Sequence, residues 1–171
     1  MRFQSLQSKL KLMYGSLAFL ALAMLGYGLY AQHVQGFEPC PICYFQRLMI
    51  GALGLAWLLN ALTKKAATSQ LMLQLLLCIS GATLAIRHLW IQTHPEVAKG
   101  SCSMGIQYML DSYPFLDVVL KSWKGTQDCT DTSWRILGLT APVWLIALFA
   151  GAMLVSILLY YFSQRKVSHS V

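Results

Sequence analysis

The sequence predicts an all-α membrane protein, a four-transmembrane-helix bundle with one short and one long loop on the same side. Three observations carry that prediction. The 171-residue chain is 57% hydrophobic and 11% charged, with a mean hydropathy of +0.55, a composition suited to a lipid solvent rather than to water. Between its charged residues lie four apolar runs, Leu12 to Phe37, Leu48 to Thr63, Ala66 to Ile86 and Ile136 to Gln164. Each supplies the roughly 20 residues of helix that cross a bilayer core, provided the second begins a little before Arg47. The third observation is one-sided charge. Arg2, Lys9, Lys11, Lys64, Lys65, Arg165 and Lys166 flank one side of the runs without any acid. Glu38, Glu96, Asp111, Asp117, Asp128 and Asp131 all fall on the other side, where six basic residues balance them.

The net charge of +7 thus sits on one face, which the positive-inside rule assigns to the cytoplasm. Both termini are expected there, with the loops on the opposite, outer side. The cations form juxtamembrane clusters of two or three, which suit the anionic headgroups of a lipid bilayer. A pI near 9.3 therefore implies no nucleic-acid partner.

The spans are predicted at about residues 12–31, 42–62, 69–90 and 142–162, in one membrane domain covering residues 1–171 and acting as a monomer. The first is longer than the apolar core of a secretory signal and is followed by further spans, so it reads as a membrane helix. Pro142 suits the first turn of the fourth, where its missing N–H costs nothing. Tyr14, Tyr160, Tyr161 and Phe162 then fall at the inner interface, and Tyr27, Tyr30, Trp90 and Trp144 at the outer one, as aromatic belts do. The outer loops are residues 32–41 and 91–141. In the long loop Phe115, Leu116, Val119, Leu120 and Trp123 share one helical face, and Asp117, Lys121 and Lys124 the other, after Pro114. This predicts a short helix lying in the outer interface, or one packed on the bundle's own outer end.

Four of the five cysteines, Cys40, Cys43, Cys102 and Cys129, lie outside in this topology, and Cys78 sits mid-span as a small buried hydrophobe. An even external set indicates two disulfides in an oxidising compartment, although four cysteines allow three pairings. Cys40-Pro41-Ile42-Cys43 is a C-x-x-C whose second cysteine opens a helix, with Arg47 four residues on and so on the same face. A helix N-terminus and a cation both favour a thiolate, which makes Cys43 the thiol expected to persist as an anion. Zinc is the rival for such a motif. A tetrahedral structural site needs four ligands, however, and Cys102 and Cys129 stand 27 positions apart instead of forming a second C-x-x-C, so no metal is expected. The small polar neighbours of Cys102 and Cys129 favour thiol exchange over a permanent staple.

A dithiol that oxidises others must be reoxidised, and no flavin or haem motif is visible. Arg47 lies about 7 to 8 Å below the outer start of span two, and His88 a few residues from the outer end of span three, hence at similar depth. Intramembrane polar residues level with a thiolate indicate a functional site, and both can donate to the carbonyl oxygens of a quinone. Arg87 reads more simply as snorkelling to headgroups.

These residues resemble the DsbB family of bacterial inner-membrane disulfide oxidoreductases. The resemblance is carried by Glu38-Pro39-Cys40-Pro41-Ile42-Cys43, Arg47, Arg87-His88, Cys102, Cys129 and the run from Leu137-Gly138-Leu139 to Pro142-Val143-Trp144, and it spans nearly the whole chain. It implies a protein-disulfide:quinone oxidoreductase with redox pairs Cys40/Cys43 and Cys102/Cys129. The partner implied is a thioredoxin-fold periplasmic oxidase of the DsbA type, which attacks Cys102, and the acceptor is ubiquinone or menaquinone, bound by Arg47 and His88 and reduced by Cys43. Gln46 is a departure, since some relatives carry an acid there. Two other readings stand beside this one. A quinone reductase of the vitamin K epoxide reductase kind also has a C-x-x-C on a helix, but late in its bundle, whereas here it opens span two. A non-catalytic scaffold stapled by two inert disulfides is the other.

Overall fold

A computed structural model describes residues 2–36, 38–63, 68–99, 105–132 and 135–168. Cys102, Lys64 and Lys65 lie outside the described residues. Four long helices dominate: α1 (Arg2–His33), α2 (Pro41–Leu62), α3 (Thr68–Thr93) and, after the long connection, α6 (Ala141–Ser168). Their membrane-capable parts, Ser8–His33, Pro41–Leu62, Thr68–Thr93 and Ala141–Gln164, are 26, 22, 26 and 24 residues long. At 1.5 Å per residue each exceeds the roughly 30 Å of a bilayer's hydrocarbon. The chain is a multi-pass helical membrane bundle. Pro142 stands in the first turn of α6, where proline's fixed φ suits a helix start.

In the bundle α1 packs on α2, α2 on α3 and α3 on α6. The core is shared among all four: Tyr14, Ala18 and Ala21 from α1, Ile50, Leu53 and Trp57 from α2, Cys78 from α3, and Phe149, Ala152 and Leu159 from α6. Two polar contacts lock the helices laterally, Trp57 Nε1 donating to Ser156 Oγ (3.1 Å) and Thr68 Oγ1 pairing with Tyr160 Oη (2.8 Å). Between helices in lipid such bonds matter because apolar burial supplies little drive for association. Large apolar side chains such as Phe19, Leu55, Leu76 and Leu154 remain exposed, as a lipid-facing surface requires.

The α3–α6 connection is richer than the single helix predicted from the sequence. It contains a 3₁₀ turn (Pro95–Ala98), α4 (Ile106–Ser112), α5 (Phe115–Lys124), a second 3₁₀ turn (Gln127–Thr130) and a hairpin of β1 (Arg135–Ile136) and β2 (Leu139–Thr140). The hairpin pairs Arg135 with Thr140 and Ile136 with Leu139, and its two central residues, Leu137 and Gly138, both have positive φ, the backbone of a tight two-residue hairpin turn.

The α5 helix packs through Val118 and Ser122, which are buried, and turns Phe115, Leu116, Leu120 and Trp123 outward. Its apolar stripe is thus not the face set against the bundle. Three devices pin the end of α5 to α3. Arg87 donates from Nε to the Trp123 carbonyl (2.9 Å) and from Nη2 to the Lys124 carbonyl (3.2 Å), satisfying helix-end acceptors that have no partner within the helix. This differs from the snorkelling expected of Arg87, because its guanidinium is engaged by two helix-end carbonyls of α5. Gly125 follows with φ 91°, and a Cβ there would come within 2.5 Å of Ile91 Cδ1, so only glycine lets the backbone turn that close to α3. Beyond it, Gln92 Nε2 donates to the Asp131 carbonyl (3.0 Å). The second 3₁₀ turn, carrying Cys129, is therefore held over the C-terminal end of α3.

Candidate redox site

Cys40 caps the N-terminus of α2 in an extended conformation with Pro41 directly after it. A proline there fits the first turn and leaves the dithiol at the helix mouth. Cys40, Ile42, Ile91, Ala98 and Cys129 form a small apolar cluster against which Cys43 packs. Its members come from two helix ends and both 3₁₀ turns, so no single element creates it.

Within the cluster Cys40 is the pivot. Its Sγ lies 2.9 Å from Cys43 Sγ, with Cys40 donating, and Cys129 belongs to the same buried cluster. Thr126 Oγ1 approaches Cys129 Sγ at 3.7 Å. His88 closes the group from α3, with Nε2 3.9 Å from Cys40 Sγ and Nδ1 3.9 Å from Cys43 Sγ. The imidazole edge thus faces both sulfurs, and the ring also meets the backbone of Cys129. His88 is 4% exposed, Cys40 5% and Cys129 0%, so these three groups are shielded from bulk water.

The electrostatics separate the sulfurs. Contact with Cys129 pulls the Cys40 thiol down. Contact with Cys43, burial and the charge of Cys43 together outweigh it, so Cys40 stands above the ordinary thiol range. Cys129 is pushed well above that range, first by its hydrogen bond with Cys40 and then by burial. Both are held as thiols when reduced, since each deprotonation would place an anion in a dry site beside another sulfur. Cys40 donates to Cys43, leaving Cys43 as the acceptor at the α2 end.

Arg47 sits one turn below Cys43, as its spacing predicts, but its guanidinium engages α1: Nη1 donates to Gln32 Oε1 (2.8 Å). The side chain lies on the α1 backbone at Gly28, where a Cβ would come within 3.2 Å of Nε. Gln32 in turn donates from Nε2 to Tyr44 Oη. Gln32 and Tyr44 were not singled out from the sequence, although an amide at the very end of the first apolar run was the signal available. Gln46 is 2% exposed, and its Nε2 has no hydrogen-bond partner among the described residues. A buried amide donor left unpaired costs about 1–3 kcal/mol, and this one lies one turn below Cys43 on the same buried side of α2.

The sequence-derived residues therefore divide. Cys40, Cys43, Cys129 and His88 meet in one cluster, Arg47 reaches the α1 side of the same helix turn, and Cys102 lies outside the described residues. Cys78 is buried in the main core with Phe149 and Trp57, far along α3 from the redox end.

Over residues 10–159 the sequence matches the family described as disulfide bond formation protein DsbB. Several relatives carry the name Disulfide bond formation protein B. The chain is 37% identical to that of Hahella chejuensis over 139 residues, covering 79% of this chain and 84% of the relative. It is 38% identical to that of Marinobacter nauticus over 138 residues, covering 78% and 82%. With the protein of Xanthomonas euvesicatoria pv. vesicatoria it shares 34% identity over 158 residues, covering 90% and 92%.

Proposed function

Since the chain belongs to the DsbB family of disulfide bond formation proteins, we propose that it reoxidises a DsbA-type periplasmic thiol oxidase and passes the electrons to a membrane quinone. The observation that carries this reading is the position of Cys40, 2.9 Å from Cys43 and in one buried cluster with Cys129. Exchange between two disulfide pairs needs one sulfur of each within attack distance of the other, and Cys40 and Cys129 supply that junction.

The exchange proceeds by thiolate attack with one S–S bond broken for each one formed. The partner's thiolate attacks Cys102 of the Cys102–Cys129 disulfide, and Cys129 leaves. Cys129 then attacks Cys40 of the Cys40–Cys43 disulfide, and Cys43 leaves as a thiolate at the mouth of α2, where the helix N-terminus stabilises it. His88, facing Cys40 and Cys43, gives a proton to the departing sulfur and takes it back before that sulfur next attacks. The partner's second thiolate attacks its own sulfur in the mixed disulfide and releases Cys102. Cys102 then attacks Cys129, restoring the Cys102–Cys129 pair and freeing Cys40.

A quinone fits the donors present. Its two carbonyl oxygens accept hydrogen bonds and offer none, and the site holds the His88 ring, the Arg47 guanidinium and the buried, unpaired Gln46 amide nitrogen. Arg47 and His88 hold the carbonyls in this reading. When bound, the quinone supplies the acceptor for two electrons and two protons as the Cys40–Cys43 bond re-forms. The Gln32 contact keeps Arg47 from folding back over the thiols. The exposed apolar stripe of α5 rests in the outer membrane interface in the same reading, roofing the lipid route to the site.

The test is turnover in detergent with a reduced thioredoxin-like periplasmic protein and a soluble ubiquinone analogue, following quinone absorbance. Wild type reduces the quinone, and Cys40→Ser reduces it at least about a thousandfold more slowly, as for loss of a nucleophile. Turnover unaffected by Cys40→Ser would sink the proposal.

A further inference from the structure

We propose that the fully reduced site is a redox-gated binding site for a thiophilic divalent cation, with Cys40, Cys43, Cys129 and His88 as donors. It rests on the reading that these thiols cycle between dithiol and disulfide. The ligand atoms of Cys40, Cys43 and His88 all lie within 4.8 Å of one another; Cys129 stands outside that set of three but packs in the same buried cluster as Cys40, and rotation of its side chain brings it in as the fourth donor. A tetrahedral zinc ion with Zn–S near 2.3 Å and Zn–N near 2.0–2.1 Å sets its ligands about 3.8 Å apart for two sulfurs and about 3.6 Å apart for sulfur and nitrogen. The sulfur–nitrogen separations here are 3.9 Å. The 2.9 Å between Cys40 and Cys43 opens to the required value by rotation about their Cα–Cβ bonds.

Two features go beyond a reactive C-x-x-C. The fold brings Cys129 beside Cys40 although it stands 89 positions away (129 − 40), and a histidine completes a Cys₃His set of the kind zinc prefers. His88 also meets the backbone of Cys129. With one ring nitrogen on a metal, the other N–H can donate to that carbonyl and fix the tautomer, as metal-bound histidines usually require. On binding, three thiols give three protons to the buffer, and no electron moves. Any disulfide that includes Cys40 removes two donors at once, so capture is confined to the reduced site. A captured ion occupies the sulfur lone pairs needed for attack and stalls the relay.

The test uses the full-length protein in detergent, reduced with a phosphine and freed of metal, then titrated with Zn²⁺ against a chromophoric indicator. The expected result is one Zn²⁺ per chain when reduced and none after oxidation by a quinone analogue, with about three protons released per ion. His88→Ala and Cys129→Ser each weaken binding at least about tenfold, and Cys78→Ala leaves it unchanged. Co²⁺ in place of zinc gives tetrahedral visible absorption. The comparison of reduced with oxidised wild type needs no variant to fold. If reduced wild type turns over quinone but retains no zinc, the metal proposal fails and the relay stands. Affinity indifferent to both His88→Ala and Cys129→Ser also overturns it, since the C-x-x-C alone would then hold the ion. Failure of the relay itself appears separately, as metal-free wild type that does not reduce quinone.

Discussion

The molecule has two buried clusters that both contain cysteine, and they are built in opposite ways. In the main core Cys78 is enclosed by helical side chains from all four long helices, with Phe149 and Trp57 among its neighbours. At one end of the bundle Cys40 and Cys129 are brought together by helix termini and two 3₁₀ turns, with Ile42, Ile91 and Ala98 in the same cluster. Burial alone therefore does not decide reactivity. What differs is the company: Cys78 packs among apolar groups, whereas Cys40 has a thiol on each side and an imidazole 3.9 Å away. In the proposed function the first cluster holds the bundle together, and the second carries the chemistry.

Substitutions can break that division. The largest effect is expected from Cys129→Ser, which lowers turnover with a reduced protein substrate at least about a thousandfold while leaving thermal unfolding in detergent little changed, because serine nearly matches cysteine in volume. Phe149→Ala should do the reverse. Emptying a fully buried aromatic site costs about 3–5 kcal/mol, seen as a lower unfolding midpoint, while turnover per folded molecule is retained. A Phe149→Ala protein that is stable but inactive would show that the two clusters are not separable.

Smaller effects resolve the membrane face of the site. Arg47→Ala should raise the quinone KM by about 10- to 100-fold, the loss of a charge-assisted hydrogen bond of roughly 1.5–3 kcal/mol. Gln32→Ala should shift the same KM in the same direction by about three- to tenfold, since it frees Arg47 without removing it. Equal effects would place Gln32 on the quinone itself. Gln46→Leu gives two readouts. Removing an orphan donor stabilises the fold slightly or leaves it neutral, and the quinone KM rises severalfold if Gln46 Nε2 donates to the ring. Unchanged KM with raised stability would leave Gln46 as a buried cost with no ligand.

Much of this division was legible in the sequence, and for a physical reason. Apolar runs and one-sided charge define helices in lipid because the bilayer requires every backbone group to be paired within its own segment. The four long helices follow directly, as does Cys78 as a core residue. His88 beside the C-x-x-C was also legible, since both sit near helix ends at one depth. Cys129 beside Cys40 was not, because it depends on Arg87 capping α5, Gly125 lying on Ile91 and Gln92 holding Asp131. Those contacts join positions 34 to 39 residues apart in sequence, and no local pattern marks them. The same limit hid the partners of Arg87, because the helix it caps lies in another part of the chain.

The central claim is that Cys40 is the sulfur through which the two pairs communicate. Its most direct test is a Cys43→Ser/Cys102→Ser double variant, oxidised mildly in detergent and mapped by mass spectrometry of non-reduced peptides. Formation of an intramolecular Cys40–Cys129 disulfide in most molecules is the predicted result. Cys40 and Cys129 remaining as free thiols, or linking only between molecules, would contradict it.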